Sequence, residues 1–239
     1  MSRRKFIKEL GIGAGALVAY DILSKNEVRA QTGTTYGALV DLRSCVNCKA
    51  CQIACKAWNG NTPDPTTFKT DFTSQTWTYV QEYETGTYDE LSPTVKNANA
   101  KRQCMHCADP VCVANCPQNG TAIYKESNGA VIINHDNCIR CQICVNTCPY
   151  SVPRFDSSAN KIEKCVFCFD RLQIGKEPAC VGTCPAGALT FDTTENITTL
   201  ANQAVADGYS VYGLDTGEET SWVYVFPKGI DPDSVIVTR

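Results

Sequence analysis

The chain has 239 residues, a formal net charge of −3 at neutral pH and an ordinary hydrophobic share of 43%. Beyond its first few residues it shows no basic stripe of the kind that binds nucleic acid, so no nucleic-acid partner is expected. Sixteen cysteines stand against only two histidines. Because the chain is longer and less cysteine-rich than small disulfide-held domains, its composition favours bound metal.

The segment 1–30 resembles a twin-arginine export signal. Arg3 and Arg4 precede an apolar run from Leu10 to Tyr20, which is too short to span a membrane, and Ala30 ends a small-residue cleavage site. This route exports folded proteins, which protects thiols that would otherwise pair in an oxidising compartment. We therefore expect a periplasmic protein, soluble once mature, with any membrane association made through a partner. A short basic surface helix is the alternative.

The cysteines form four motifs of four, and each motif ends in C-x3-C. They are motif one (Cys45, Cys48, Cys51, Cys55), motif two (Cys104, Cys107, Cys112, Cys116), motif three (Cys138, Cys141, Cys144, Cys148) and motif four (Cys165, Cys168, Cys180, Cys184). Motifs two to four are closed by a proline, which turns the chain away. This spacing predicts [4Fe–4S] clusters, with three thiolates from one loop and a fourth reaching the neighbouring cluster.

Other uses of these residues fit the spacing less well. Structural zinc uses two cysteine pairs, or one pair with histidines, and disulfides across such short loops stabilise little. A cysteine-rich binding module held by zinc or disulfides remains the alternative of another class. His106, inside motif two, is predicted to donate a hydrogen bond beside a cluster or simply to pack there. His135, in a predicted strand before Asn137, is predicted to be structural, and no catalytic residue is expected.

The cysteine-free parts predict an α+β fold. Residues 59–103 form an insertion with a strand-like segment at 77–83, which either faces a partner or covers clusters. Two β-rich runs around Asn128-Gly129 predict a hairpin. A helix is predicted at Glu195–Asp207 and a last strand at Trp222–Phe226. This layout predicts an inner ferredoxin-like unit at 104–160, an outer unit from 31–58 plus 161–190, and a C-terminal helix and strand tail at 191–239.

The motifs and their flanks resemble the iron–sulfur (beta) subunits of dimethyl-sulfoxide-reductase-type complexes, most of all those of formate dehydrogenases and, next, periplasmic hydrogenase electron-transfer subunits. The segments that carry the resemblance are Gln52–Asn59, Cys104–Pro110, Asn137–Cys141, Cys148–Arg154, Lys164–Arg171 and Glu177–Ala188. The resemblance implies two interleaved bacterial-ferredoxin-like units, a tandem 4Fe-4S ferredoxin-type domain with much irregular loop. It also implies electron transfer without catalysis.

The resemblance further implies four ligand sets that cross between motifs. They are Cys45, Cys48, Cys51 with Cys184; Cys55 with Cys165, Cys168, Cys180; Cys104, Cys107, Cys112 with Cys148; and Cys138, Cys141, Cys144 with Cys116. Nitrate-reductase relatives carry tryptophan at one third-motif position and hold a three-iron cluster there. Cys141 is intact, so four cubanes are expected.

The partners implied are a catalytic subunit, most often a molybdenum or tungsten pterin formate dehydrogenase, and a membrane cytochrome b, a quinone-reactive subunit or a soluble cytochrome. The same relay in a hydrogenase or a sulfur-compound reductase is the alternative. Lys164 and Arg171, beside motif four, are candidate cations that raise a cluster's reduction potential. Solvated surface charges are the other interpretation of these two residues.

Overall fold

A computed structural model of the protein describes residues 34–64, 67–84, 97–214 and 219–236. The segment predicted to be an export signal, 1–30, lies outside these ranges. None of the helices within them is long and apolar enough to cross a lipid bilayer.

Short helices and strands alternate along the described ranges. In chain order they are β1 (Tyr36–Asp41), α1 (Ala50–Asn59), β2 (Tyr79–Glu84), β3 (Asn97–Arg102), α2 (Val111–Ala114), β4 (Ile123–Lys125), β5 (Val131–Ile133), α3 (Ile143–Thr147), β6 (Arg154–Asp156), β7 (Lys161–Glu163), α4 (Phe169–Gln173), α5 (Ala179–Gly182), β8 (Leu189–Thr193), α6 (Thr194–Ala206), β9 (Ser210–Tyr212), β10 (Trp222–Phe226) and α7 (Pro232–Ile236). The mixed helix and strand content agrees with the predicted α+β class.

The largest sheet has four strands in the order β8-β1-β10-β9. Strand β1 runs parallel to β10, with Ala38 opposite Trp222, and antiparallel to β8. All five residues of β10 are buried and apolar, as expected of a strand covered on both faces. The strand predicted at Trp222–Phe226 is therefore confirmed, and it lies inside the sheet.

The two faces of this sheet border different cores. On one face, Val223 and Val225 pack with Ile197 of helix α6. On the other, Trp222 and Tyr224 belong to the larger core, which also contains several cysteines. Because side chains alternate along a strand, β10 separates a small aliphatic core from the cysteine-rich one.

Helix α6 spans Thr194–Ala206, so it begins and ends one residue earlier than predicted. Its N-cap is Thr193, whose Oγ1 accepts the Asn196 N–H at 3.3 Å. Gly208, at φ 81°, lies just beyond the end of the helix, which fits the left-handed geometry favoured there.

Three two-stranded ribbons complete the architecture of the described ranges: β2-β3, β4-β5 and β6-β7. The predicted hairpin is confirmed as β4-β5, with Gly129 at φ 95° in its turn. A Cβ at Gly129 would come within 3.2 Å of the Tyr36 backbone oxygen. His135 lies in the turn after β5, so its predicted position in a strand is wrong: β5 ends at Ile133.

The cysteine-free insertion forms the β2-β3 ribbon. The strand predicted at 77–83 begins at Tyr79 and pairs with β3, so that Tyr79 lies opposite Arg102. Val80, Ala98 and Ala100 of the ribbon are buried in the larger core. This part of the insertion covers the cysteine-rich core, as the second of the two interpretations expected.

Candidate metal centres

Each C-x2-C loop has the same backbone shape. The residue before the second cysteine has a positive φ in every motif: 56° at Asn47, 48° at His106, 61° at Arg140 and 57° at Phe167. Left-handed backbone costs L-residues about 1–2 kcal/mol each and persists only where the surroundings impose it. Successive right- and left-handed residues turn backbone N–H groups into a concave nest, a geometry found at many iron–sulfur sites. The four loops are therefore shaped to surround an anion.

The second half of each motif is also repeated. The third cysteine is always the second residue of a helix: Cys51 in α1, Cys112 in α2, Cys144 in α3 and Cys180 in α5. The fourth cysteine follows four residues later: Cys55 is still within α1, ~6 Å along its axis, whereas the fourth cysteines of the other motifs lie just beyond the ends of α2, α3 and α5. In α1 this spacing brings Cys51 to one cavity and Cys55 to the next.

The structure gathers the cysteines into four sets. We name them site I (Cys45, Cys48, Cys51, Cys184), site II (Cys55, Cys165, Cys168, Cys180), site III (Cys104, Cys107, Cys112, Cys148) and site IV (Cys116, Cys138, Cys141, Cys144). Sites I, II and IV each line a separate cavity of about 340, 340 and 360 Å³, including the space at its mouth. The near-equal sizes suit one kind of occupant. These sets are the ones that the resemblance implies.

Site III is recognised from the mutual influence of its thiols. The pKa of Cys107 is raised to about 12 by burial and then by Cys104, Cys112 and Cys148. A wider cleft of about 820 Å³, again including open space, lies beside Cys107 and is lined by Asp109 and Glu219. The four cysteines of site III thus face one another next to the surface.

The electrostatics suit metal ligands and not nucleophiles. Burial, reinforced by neighbouring thiols, raises the pKa of Cys51 and Cys168 to about 12 and that of Cys144 to about 11. Reactive cysteines show the opposite shift, because the thiolate is the nucleophile. Here the thiolates need a compensating positive charge, which bound iron supplies. All sixteen cysteines lie in the described ranges, and none of them forms a disulfide. Those ranges contain no group of three or more His, Cys, Asp or Glu side chains placed to hold one metal ion.

The four sites form a row. The pKa shifts show Cys51 of site I near Cys180 of site II, and Cys165 of site II near Cys104 of site III. In the same way, Cys112 of site III is near Cys144 of site IV. The order along the molecule is therefore I, II, III, IV.

Both ends of the row reach the surface. Cys48 of site I and Cys141 of site IV are exposed. The neighbouring Val46 and Ile139 are 66% and 55% exposed, whereas Met105, at the same position of motif two, is 2% exposed. Exposed apolar side chains beside the end sites are suited to excluding water when another protein docks there.

His106 is completely buried, and its ring lies against Phe167 with centroids 4.8 Å apart. Its Nδ1 accepts the Val131 N–H at 2.9 Å, so the ring proton is on Nε2, which has no acceptor among the described residues. Burial and then Lys164 hold the pKa of His106 well below its usual range. The neutral ring packs between the loops of motifs two and four. His135 is 2.9 Å from the Ile162 oxygen, in a structural contact.

The two predicted cations differ in position. Lys164 is 2% exposed, and its Nζ donates to the carbonyl oxygens of Val131 and Cys165. It lowers the pKa of Cys112 and Cys148, against the larger effect of burial, and so lies near site III. The surface-charge interpretation is therefore wrong for Lys164.

Arg171 is half-buried and lies over the Trp58 ring, 4.3 Å from its centroid. Its Nε donates to the backbone oxygen of Glu177 at 2.7 Å. These contacts tie α4 and the following loop to α1.

A further lysine, Lys101, which no sequence motif indicated, also lies beside the cysteines. It is 1% exposed and lines the cavities of both site I and site II. Its position three residues before Cys104 was the only local signal. The polar segment that carries it gave no indication of burial.

Comparison with known proteins gives a consistent result. A family described as a 4Fe-4S dicluster domain matches residues 95–194. The chain is 39% identical to the formate dehydrogenase-O iron-sulfur subunit of Escherichia coli over 186 residues, which cover 74% of this chain and 60% of that protein. It therefore spans about three fifths of that relative.

Two other relatives are matched over more of their length. The B component of the sulfite dehydrogenase of Allochromatium vinosum is 33% identical, over 66% of this chain and 68% of that protein. The B component of the anaerobic dimethyl sulfoxide reductase of Escherichia coli is 33% identical, over 69% of this chain and 76% of that protein.

Proposed function

This protein belongs to the family of iron–sulfur subunits that includes those of formate dehydrogenase and dimethyl sulfoxide reductase, and from that premise we propose that it relays electrons through four [4Fe–4S] clusters. Clusters of the [4Fe–4S] type are its cofactors. The proposal of four clusters rests on the grouping of the sixteen cysteines into four sets of four. When bound, each cluster supplies a one-electron couple.

The residues of the chain hold and shield these cofactors. Each loop offers three thiolates and a nest of N–H groups, and the C-x3-C spacing sends the fourth thiolate to the next site. The row of sites then gives electrons two points of access, near Cys48 and near Cys141. A non-catalytic relay needs only such a row of cofactors and a point of access at each end. The raised pKa values of the thiols oppose a catalytic role for them.

The two ferredoxin-like units are proposed to be interleaved. Sites I and II draw cysteines from motifs one and four, whereas sites III and IV draw them from motifs two and three. This arrangement supports an outer unit from 31–58 plus 161–190 around an inner unit at 104–160. Helices α1 and α5 contact each other and thereby join the two halves of the outer unit.

The proposed catalytic partner is a molybdenum or tungsten pterin formate dehydrogenase, which the names of the more identical relatives support. The second partner is a membrane cytochrome b, a quinone-reactive subunit or a soluble cytochrome. A sulfur-compound enzyme is the second candidate, because the relatives matched over most of their length serve sulfite and dimethyl sulfoxide by name. Arg3 and Arg4 support export to the periplasm by the twin-arginine route. Co-purification distinguishes the catalytic partners: a large subunit with bound pterin is expected, and nickel would indicate a hydrogenase.

Metal analysis of the anaerobically purified protein tests the relay itself. We expect about sixteen irons per chain, four for each four-cysteine set. Zinc, or a colourless protein without iron, would refute the proposed function.

Paired substitutions test how the cysteines are grouped. Cys116→Ala and Cys138→Ala lie in different motifs but in one site, so the double variant should lose about four irons, as each single variant does. Cys116→Ala with Cys112→Ala removes ligands of two sites from one motif and should lose about eight. The reverse result would show that each motif binds its own cluster.

A further inference from the structure

We propose that Lys101 is a permanent positive charge shared by sites I and II, which raises the reduction potentials of both clusters. The inference rests on the proposed electron relay and adds a residue that tunes it. Lys101 supplies no ligand and does not touch a substrate, so it acts only through the field and hydrogen bonds that it directs at the two cofactors.

The position of Lys101 is the first part of the argument. Among the cavity-lining residues of sites I and II, Lys101 is common to both. It is wholly buried, so water does not screen its charge from either site. A charge in a common wall acts on two neighbouring cofactors at once, whereas a charge in an outer wall acts mainly on one.

A closed set of hydrogen bonds fixes the ammonium group. Lys101 Nζ donates to Gln103 Oε1 at 2.8 Å, and Gln103 Nε2 donates to the Tyr224 oxygen at 2.6 Å. The Tyr224 hydroxyl in turn donates to the Lys101 backbone oxygen at 2.8 Å. The Trp222 ring lies beneath Nζ, 4.2 Å from it. The side chain is therefore held in place by partners that are themselves buried.

The charge balance points to the clusters. Gln103 is the one hydrogen-bond acceptor of Nζ in the described part of the chain, although an ammonium carries three N–H donors. None of the ion pairs found there includes Lys101. Buried charges are paired in folded proteins, and the cavities that Lys101 lines are those of the cysteines of sites I and II, whose thiolates and clusters would carry the compensating negative charge.

The consequence follows from the electron balance. Reduction adds one electron to a cluster, received from a neighbouring cluster or a partner, with no bond broken and no proton transferred. The reduced site is more negative by one charge, and a fixed cation nearby stabilises it relative to the oxidised site. Lys101 therefore favours the reduced state of sites I and II together.

The test is a redox titration of the intact, cluster-loaded protein, monitored by paramagnetic resonance, for wild type and Lys101→Met. We expect two of the four couples to shift to lower potential in Lys101→Met. The equilibrium constant for reduction of each should fall at least tenfold, which corresponds to a shift of 59 mV for a one-electron couple. Lys125→Met is the control, because Lys125 Nζ donates to the backbone oxygens of Cys107 and Ala108 at site III, and it should shift one different couple. Lys161→Met, on the surface, should shift none.

Two further variants keep the result decisive. Lys101→Arg retains the charge and should show less than half of the shift, whereas Lys101→Gln should behave like Lys101→Met. Unshifted couples in the neutral variants, a shift confined to one couple, or loss of iron from both neutral variants would each overturn the tuning role. A wild-type protein without reducible clusters would instead overturn the proposed function itself.

Discussion

Arg102 is expected to hold the C-terminal helix against the β2-β3 ribbon. It is 2% exposed, and its guanidinium donates to the backbone oxygens of Val235 and Ile236 at 2.6 and 2.7 Å. It also donates to the Tyr83 hydroxyl at 2.7 Å. The last carbonyls of a helix have no intrahelical partner, and at α7 a long cationic donor from another element takes that place.

Replacing Arg102 with Met keeps most of the side-chain volume and removes the donors. Two buried carbonyls lose a partner, at about 1–3 kcal/mol each. Removing the buried charge returns part of this cost because its desolvation penalty disappears. We therefore expect α7 to be destabilised by about 2–3 kcal/mol, which increases its open population by about 30- to 150-fold.

Hydrogen exchange of the cluster-loaded protein measures this change directly. The peptide covering 230–236 should exchange faster in Arg102→Met by that factor, while β4-β5 keeps the wild-type rate. Arg140→Met is the control, since Arg140 is exposed and its one side-chain hydrogen bond within the described ranges is to the Asn160 backbone oxygen. Equal exchange of 230–236 in the two variants, at unchanged iron content, would refute the reasoning.

Two other predictions concern backbone geometry and pH. Gly213→Ala should lower the free energy of unfolding by about 2–4 kcal/mol, because φ is 90° and a Cβ would lie 2.4 Å from Thr220 Oγ1. Gly229→Ala, at φ 84° with open space around the Cβ, should lower it by only about 1 kcal/mol. Chemical denaturation measures both changes, and equal losses in the two variants would contradict this account. Reconstitution of the metal-free chain with iron and sulfide should become more favourable from pH 7 to pH 9, because burial raises the pKa of thiols such as Cys107 and Cys112 to about 12 and each must lose a proton to bind iron. Iron uptake that is independent of pH over this range would show that the thiols are already ionised.

The local features of the fold were predictable because their causes are local. The hairpin β4-β5 follows from two β-rich runs around Asn128-Gly129, and the end of helix α6 follows from Gly208. The cysteine motifs are equally local, since each loop holds its own shape. The spacing of the cysteines alone was enough to predict iron–sulfur clusters.

Features that depend on distant partners were missed. Strand β3 reads Asn-Ala-Asn-Ala-Lys-Arg, which contains no β-branched or aromatic residue and ends in two charged residues that are buried. Its buried polar residues are stabilised by Tyr224 and by α7, more than a hundred residues later in the chain. The parallel pairing of β1 with β10 also joins distant segments. The burial of Lys101 and Arg102 could not be predicted, because long charged residues are normally placed at the surface.

The grouping of the cysteines sets an order for biosynthesis. Sites III and IV use residues 104–148 only, so their full ligand sets exist once the ribosome has passed Cys148. Sites I and II combine cysteines of motif one with cysteines of motif four, so site II is complete only when Cys180 has emerged and site I only when Cys184 has emerged. Cofactor loading during translation can therefore begin in the middle of the protein, while the early cysteines of motif one wait as exposed thiols for their late partners. A cell that makes this chain has to protect that waiting segment from oxidation and from the wrong metal.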